Sequence, residues 1–251
     1  MNQSMFYKTL KNKFIEVVKQ NNLLEENILI EAKALEPTEA IGKTVRQDFP
    51  ILTGKDRMIQ ATCKGVIGQA FTDAPSYFTG TLKDVYQLDL DADSHNRGIF
   101  IAAMNAVMGY LKKSHSTVHC KNDGPEQCAM HILKYIQTNY EKPKIALIGY
   151  QPSILEALSK HFSLRVVDLN EKNIGEIRYS VLVEDGRNEK IWKSMCEEAD
   201  LIVCTGSTVC NGTIVNYLPW KNKILFYGTT LAGAATLMDL PRICFAEEVS
   251  K

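Results

Sequence analysis

The sequence predicts an α/β protein in two domains, with a parallel β-sheet covered by helices in its C-terminal half. Two observations carry this reading. From Lys144 onward, short apolar runs (145–148, 165–168, 181–183, 201–204 and 224–227) alternate with helical stretches such as 154–161 and 189–199. Three of those runs end in glycine followed by small polar residues, at Gly149, Gly206 and Gly228, as a ligand crevice at the C-terminal ends of parallel strands requires. The rhythm changes near Glu141-Lys142-Pro143, which places the domains at 1–141 and 142–251.

The N-terminal half mixes its periods. Phe6, Leu10, Phe14, Val17 and Val18 recur at helical spacing and predict a helix over 5–20. Residues 28–35 and 58–66 read as strands. Gly68–Pro75 reads as too rich in glycine, proline and small polar residues to continue one. A short helix is expected over 82–87. A helix over 97–112 is apolar on nearly every face and therefore buried, with Asp93 or Ser94 as its cap. Thr117–Cys120 is short and extended. The turn Asn122–Pro125 then opens a helix running to about Thr138.

Composition narrows the function classes. The chain has 251 residues, 45% hydrophobic and 23% charged, with 29 basic and 29 acidic side chains. No net field draws it to nucleic acid or to an acidic membrane. The longest apolar stretch, Ile99–Leu111, is too short to span a bilayer. The N-terminus lacks the pattern of an export signal. Seven cysteines, an odd number, then imply reduced thiols and a cytoplasmic setting. The serine-hydrolase elbow, the zincin motif and the P-loop are absent.

The strand-end loops are the main candidate site. Gly149 and Gln151 follow the first parallel strand, Thr205, Gly206, Ser207, Thr208, Asn211, Gly212 and Thr213 a later one, and Gly228, Thr229 and Thr230 the next. Glycine lets backbone approach a ligand and the hydroxyls add donors. Asp168, 19 residues after Gly149, stands near the position of a ribose-binding acid in a Rossmann-like domain. The dinucleotide fingerprint fails, because Gln151 and Ile154 replace its second and third glycines. A standard NAD site is therefore not expected, whereas an adenosine-bearing ligand held differently stays open.

His119, Cys120, Cys128 and His131 are soft or borderline metal donors within thirteen residues, at no standard zinc spacing. Of these, His119 and Cys120 are the expected pocket residues. Cys63, Cys204 and Cys244 read as packed thiols in apolar strands, and Arg97 as a surface contact. Asp73 and Asn105 are polar residues in tight or apolar surroundings, which need either structural partners or a ligand.

The segments Gly68–Pro75, Arg97–Val107, Thr117–Cys128, Ile145–Pro152, Thr205–Thr213 and Tyr227–Ala234 together resemble a bacterial and archaeal family described as "putative heavy-metal chelation" proteins. The resemblance implies an α+β N-terminal domain similar to the small N-terminal domain of enolases, followed by a Rossmann-like domain. It also implies a cleft in which Asp73, Asn105, His119 and Cys120 face the three glycine loops. The expected function is binding of a transition metal (Ni, Co, Zn or Cu) or an anionic metal chelate there, with His119 and Cys120 as metal ligands. Two donors make an incomplete shell, so a chelating small molecule or water supplies the rest. The alternative expectation is a transferase or lyase with an adenosine-type cofactor. The partner is then a small molecule or metal, with no nucleic acid and no membrane.

Overall fold

A computed structural model describes residues 1–24 and 28–249. Helix α1 (Gln3–Gln20), capped by the Asn2 side chain, buries Phe6, Tyr7, Leu10, Phe14 and Val18, the stripe that its periodicity predicts. Strand β1 (Leu29–Leu35) follows, then the short helices α2 (Pro37–Ile41) and α3 (Pro50–Thr53). Strands β2 (Arg57–Cys63), β3 (Val66–Thr72) and β4 (Phe78–Thr81) complete an antiparallel sheet in the order β3-β2-β1-β4. Helices α4 (Leu82–Gln87), α5 (Ser94–Tyr110) and α6 (Gly124–Asn139) lead to the second sheet.

The expected single strand over 58–66 is instead a hairpin. Lys64 and Gly65 both take positive φ, 47° and 80°, which suits a two-residue turn between twisted strands. The expectation that Gly68–Pro75 leaves the sheet is also corrected, since β3 runs through Gly68 to Thr72. Gly68 is there because helix α5 lies on it. A Cβ at this position would sit 2.1 Å from the Ala106 amide nitrogen and 2.5 Å from the Ala102 carbonyl oxygen. Glycine inside a strand here marks a close backbone approach.

Helix α5 is buried almost throughout, with Asp93 at its N-cap accepting from the His95 amide. Its Arg97 is 8% exposed, which corrects the expected surface role. The guanidinium donates to the Cys210 and Leu90 carbonyls and lies over the Tyr7 ring.

The second sheet contains β5 (Ile145–Ile148), β6 (Leu164–Asp168), β7 (Ile177–Arg178), β8 (Val181–Asp185), β9 (Leu201–Thr205), β10 (Ile224–Tyr227) and β11 (Arg242–Ile243). Its order is β11-β10-β9-β5-β6-β8-β7, parallel except for the β7–β8 hairpin. Omitting β7, the strands in chain order read 6-5-4-1-2-3, the order of a doubly wound sheet, which reverses between β5 and β9. Strands β5 and β10 are buried at every residue, the continuous apolar run that a sheet covered on both faces requires. The remaining helices are α7 (Pro152–Ser159), α8 (Glu189–Glu198), α9 (Thr208–Asn211), α10 (Ile214–Tyr217), α11 (Ala232–Met238) and α12 (Ala246–Val249), with a 3-10 turn over Leu218–Trp220.

One apolar cluster joins α1, α5 and the antiparallel sheet to Ile202, Cys204 and Phe226 of the parallel sheet. A second packs Ala129, Ile132, Leu133 and Ile136 of α6 against α7 and the other face of that sheet. Among the described residues no helix is long and apolar enough to cross a membrane. Gly68→Ala is expected to force β3 off α5 and to cost about 2–3 kcal/mol. Urea unfolding checks this, with a lowered midpoint at unchanged slope as the expected result.

Candidate functional site

A cavity of about 670 Å³ opens where the sheet order reverses, lined by β5 and β9 loop residues on one side and by residues of the antiparallel half on the other. Of the residues anticipated from sequence, Asp73, His119, Cys120, Gly149, Gln151, Asp168, Thr205, Gly206, Ser207, Thr208, Asn211, Thr213, Gly228, Thr229 and Thr230 all line it.

Two anticipated residues do not. Asn105 is fully buried beside the cavity, and its amide is consumed structurally. Nδ2 donates to the carbonyls of Gln69 (2.9 Å) and Thr230 (3.0 Å), while Oδ1 accepts from the Gly233 amide at 2.7 Å. Gly212 turns away as well: at φ 85° its Cα faces Gln3 of α1, whose Oε1 would lie 2.6 Å from an added Cβ.

The loops are built by their own side chains. Gly149 takes φ 89°, and a Cβ there would meet the Thr205 Cγ2 at 2.6 Å. Gln151 caps α7 by accepting from the Ile154 amide at 2.6 Å. Asp168 accepts from the Tyr150 and Asn170 amides, both at 2.7 Å, and from Asn173 at 3.3 Å, so it ties the β5 and β6 loops together. Thr208 Oγ1 donates to the Thr205 carbonyl at 2.8 Å, and Thr205 and Ser207 share a 2.9 Å hydroxyl contact. Asn211 accepts from the Thr213 amide and hydroxyl. Thr230 Oγ1 accepts from the Phe71 amide at 2.9 Å. The buried Thr229 hydroxyl has no hydrogen-bond partner among the described residues.

His119 and Cys120 sit on a segment that runs beside β3. The Gln69 amide donates to the Thr117 carbonyl, and the His119 amide donates to the Gln69 side-chain oxygen at 2.7 Å. His119 Nδ1 lies 2.6 Å from the Cys120 carbonyl. A carbonyl only accepts, so Nδ1 carries the hydrogen and Nε2 keeps its lone pair. Burial lowers the His119 pKa and holds the ring neutral. Cys120 is 4% exposed. Cys128 lines the same wall, and so does Cys244, which lies just past β11 and not within a strand as the sequence suggests. His131 points elsewhere, its ring 5.2 Å from that of Phe245 and 3.7 Å from the Glu248 carboxylate. Among the described residues no three His, Cys, Asp or Glu side chains are grouped to hold a metal ion.

Residues 41–56 form a wall that sequence reasoning missed. Ile41, Phe49, Ile51, Lys55 and Asp56 line the cavity from it. It is held by Arg46, which grips Asp48 through Nε (3.0 Å), Glu156 of α7 through Nη1 (2.7 Å), and the Tyr179 hydroxyl. Tyr179 also donates to Asp48 at 2.7 Å. Burial would raise the Asp48 pKa, but the hydrogen bonds from Arg46 and Tyr179 outweigh it and hold the carboxyl below its usual range. Lys172 and Arg187 add positive charge to the lining. These residues sit in ordinary polar turns of the sequence, and only the chain's path brings them to the cavity.

Fold and site together define a two-sheet α/β protein with a ligand-sized cavity at the reversal point of its parallel sheet. Residues 132–241 match the model of the family described as "Putative heavy-metal chelation", DUF364. A DUF364 protein of unknown function from Pyrococcus horikoshii has a similar fold, with 18% identity, a TM-score of 0.54, and coverage of 90% of this chain and 79% of that one. Another, from Desulfitobacterium hafniense, is 13% identical with a TM-score of 0.49, covering 72% of each chain. No curated protein matches the chain.

Asp56 supplies a pH-dependent prediction. Burial first, then the nearby Asp73 and Asp168 carboxylates, push its pKa up to about 6. A carboxyl whose folded pKa exceeds its unfolded one binds its proton more tightly when folded, so it opposes folding once ionised. Asp56→Asn is therefore expected to stabilise the chain above pH 7 by about 2 kcal/mol, allowing for screening at the open side. That gain should fade as the pH falls from 6 to 4. Thermal melts of both proteins across this range check it.

Proposed function

We propose that this chain binds a transition metal carried by an anionic chelating molecule, in a cleft between an N-terminal domain (1–141) and a Rossmann-like domain (142–251). The observation that carries this reading is the His119–Cys120 pair on the cavity wall, with the His119 Nδ1–H tied to a carbonyl so that Nε2 is left as a donor. An imidazole oriented through its second nitrogen is the usual form of a metal-ligating histidine. A thiol beside it adds preference for soft or borderline metals such as Ni, Co, Zn and Cu.

The chelating molecule completes the shell. Its anionic groups find Lys55, Lys172 and Arg187 in the same lining, together with the hydroxyls of the 205–213 and 228–230 loops. The rival reading, an enzyme with an adenosine-type cofactor, drew on Asp168. That carboxylate is occupied in fixing its own loops, and no observation in the cleft favours the rival.

Calorimetric titration with Ni, Co, Zn and Cu, each alone and with a small polycarboxylate chelator, tests the proposal. At least one metal should bind stoichiometrically, more tightly with chelator present, and His119→Ala and Cys120→Ala should each weaken it at least about tenfold. Identical weak binding by the native chain and Cys120→Ala would overturn it.

A further inference from the structure

Most hydroxyls of the strand-end loops are committed within the chain. Thr205 and Ser207 bond each other, Thr208 bonds the Thr205 carbonyl, Thr213 bonds Asn211, and Thr230 accepts from Phe71. Thr229 is the exception. Among the described residues, four buried side-chain atoms lack a hydrogen-bond partner: Glu126 Oε2, Ser153 Oγ, Arg178 Nε and Thr229 Oγ1. Of these four residues Thr229 alone lines the cavity, and it is 3% exposed. A buried hydroxyl without a partner is destabilising in the free chain. On a cavity wall, a ligand atom that accepts its hydrogen relieves that cost.

The loop around this hydroxyl is fixed by other atoms. The Thr229 carbonyl accepts from the Ala232 amide at 3.0 Å, and the Thr230 carbonyl accepts from Asn105 Nδ2 at 3.0 Å. Gly206 packs against the same loop, since a Cβ there would lie 2.9 Å from the Leu231 amide nitrogen. Gly228 takes φ 91°, and a Cβ on it would meet nothing within 4 Å, so there is open space beside Thr229. Rotation about χ1 therefore turns the hydroxyl to a ligand without breaking a hydrogen bond.

Charge and donor count define what that ligand atom is. Arg242 lies behind the loop, its Nε donating to the Gly228 carbonyl at 2.8 Å and its other nitrogens to the His115 and Ser116 carbonyls at 3.3 and 2.9 Å. All three acceptors are neutral, and the Glu247 carboxylate accepts from the Ser116 amide instead. A positive charge thus stands behind Thr229 and favours an anion. A phosphate, with three acceptor oxygens, is usually cradled by free amides at a helix N-terminus. At the start of α7 those amides are spent, because Pro152 has no N–H and Gln151 takes the Ile154 amide at 2.6 Å. One hydroxyl in a positive field suits the two oxygens of a carboxylate.

We propose that Thr229 forms a carboxylate subsite beyond the end of β10, its hydroxyl donating to one carboxylate oxygen of the molecule in the cleft. The subsite deepens the chelator reading and rests on it only for placing an anionic molecule there.

The probes are citrate and inorganic phosphate, titrated calorimetrically into the full-length chain stripped of metal on a chelating resin. Citrate should bind and phosphate should not. Thr229→Val, which removes the hydroxyl and keeps the branched shape, should weaken citrate about tenfold or more. Thr229→Ser, which keeps the hydroxyl, should stay within about threefold of the native chain. Melting temperature separates binding from structure. Ligand-free Thr229→Val should melt no lower than the native chain, because no internal bond is lost, whereas a structural hydroxyl would lower it. Absent citrate binding, equal citrate affinity in Thr229→Val, a preference for phosphate, or a lowered melt of ligand-free Thr229→Val overturns the subsite. The metal reading fails separately: citrate bound as expected with no metal taken up would remove that reading and keep this one. Metal bound by a chain indifferent to citrate would do the reverse.

Discussion

The amide of Asn105 holds the two sheets in register around the cavity. It stands on a helix buried between them and joins a carbonyl of β3 to a carbonyl of the loop that follows β10 and to an amide of α11. A buried amide with every partner present contributes about 1 kcal/mol per bond, but an empty position would strand several backbone groups at a larger cost. The surrounding glycines serve the same junction. Gly68 admits the helix to β3, and Gly233 admits α11 to the helix, since a Cβ there would lie 3.0 Å from the Asn105 oxygen. The cavity walls are therefore set by backbone fixed at two points on either side of one side chain.

The opposite seam is made differently. Where residues 41–56 meet α7 and the β7–β8 hairpin, contact passes through Arg46, Asp48, Tyr179 and Glu156, all partly exposed. Lys172 reaches the Thr53 carbonyl at 2.9 Å on the same front. Water can replace these groups at modest cost, which is not true of the apolar cluster around α5. Of the two seams that enclose the cavity, the one held by Arg46 takes less free energy to part.

The parallel sheet was the most legible part of the sequence. Runs such as Ile145–Ile148 and Ile224–Tyr227 are buried on both faces, so their apolar character is nearly unbroken, and glycines at their ends marked the loops that line the cavity. Strand β3 was misread because a glycine that receives a helix looks the same in sequence as a glycine that makes a turn. Asn105 was identified as a polar residue needing partners, but those partners lie 36 and more than 120 residues away. Asp56 and Arg46 carried no local signal at all. Part of their surroundings comes from chain segments more than a hundred residues distant, Glu156 for Arg46 and Asp168 for Asp56.

Cavity size bears on what kind of ligand the chelation reading requires. A bare ion is satisfied by four to six donor atoms around a point, and among the described residues no such group of side chains exists. A volume near 670 Å³ lies in the range of small organic ligands. Much of its lining is apolar, with Ile41, Phe49, Ile51, Met58, Ile132, Ile148 and Ile154 among it. Apolar walls do nothing for a hydrated cation but do bury the framework of a molecule. Asp73 and Asp168 raise the cost of ionising Asp56, and bound charge of opposite sign relieves that repulsion. Under the proposed reading, a metal held within an organic chelator would set the chelator's framework against the apolar wall and turn its open coordination positions toward His119 and Cys120.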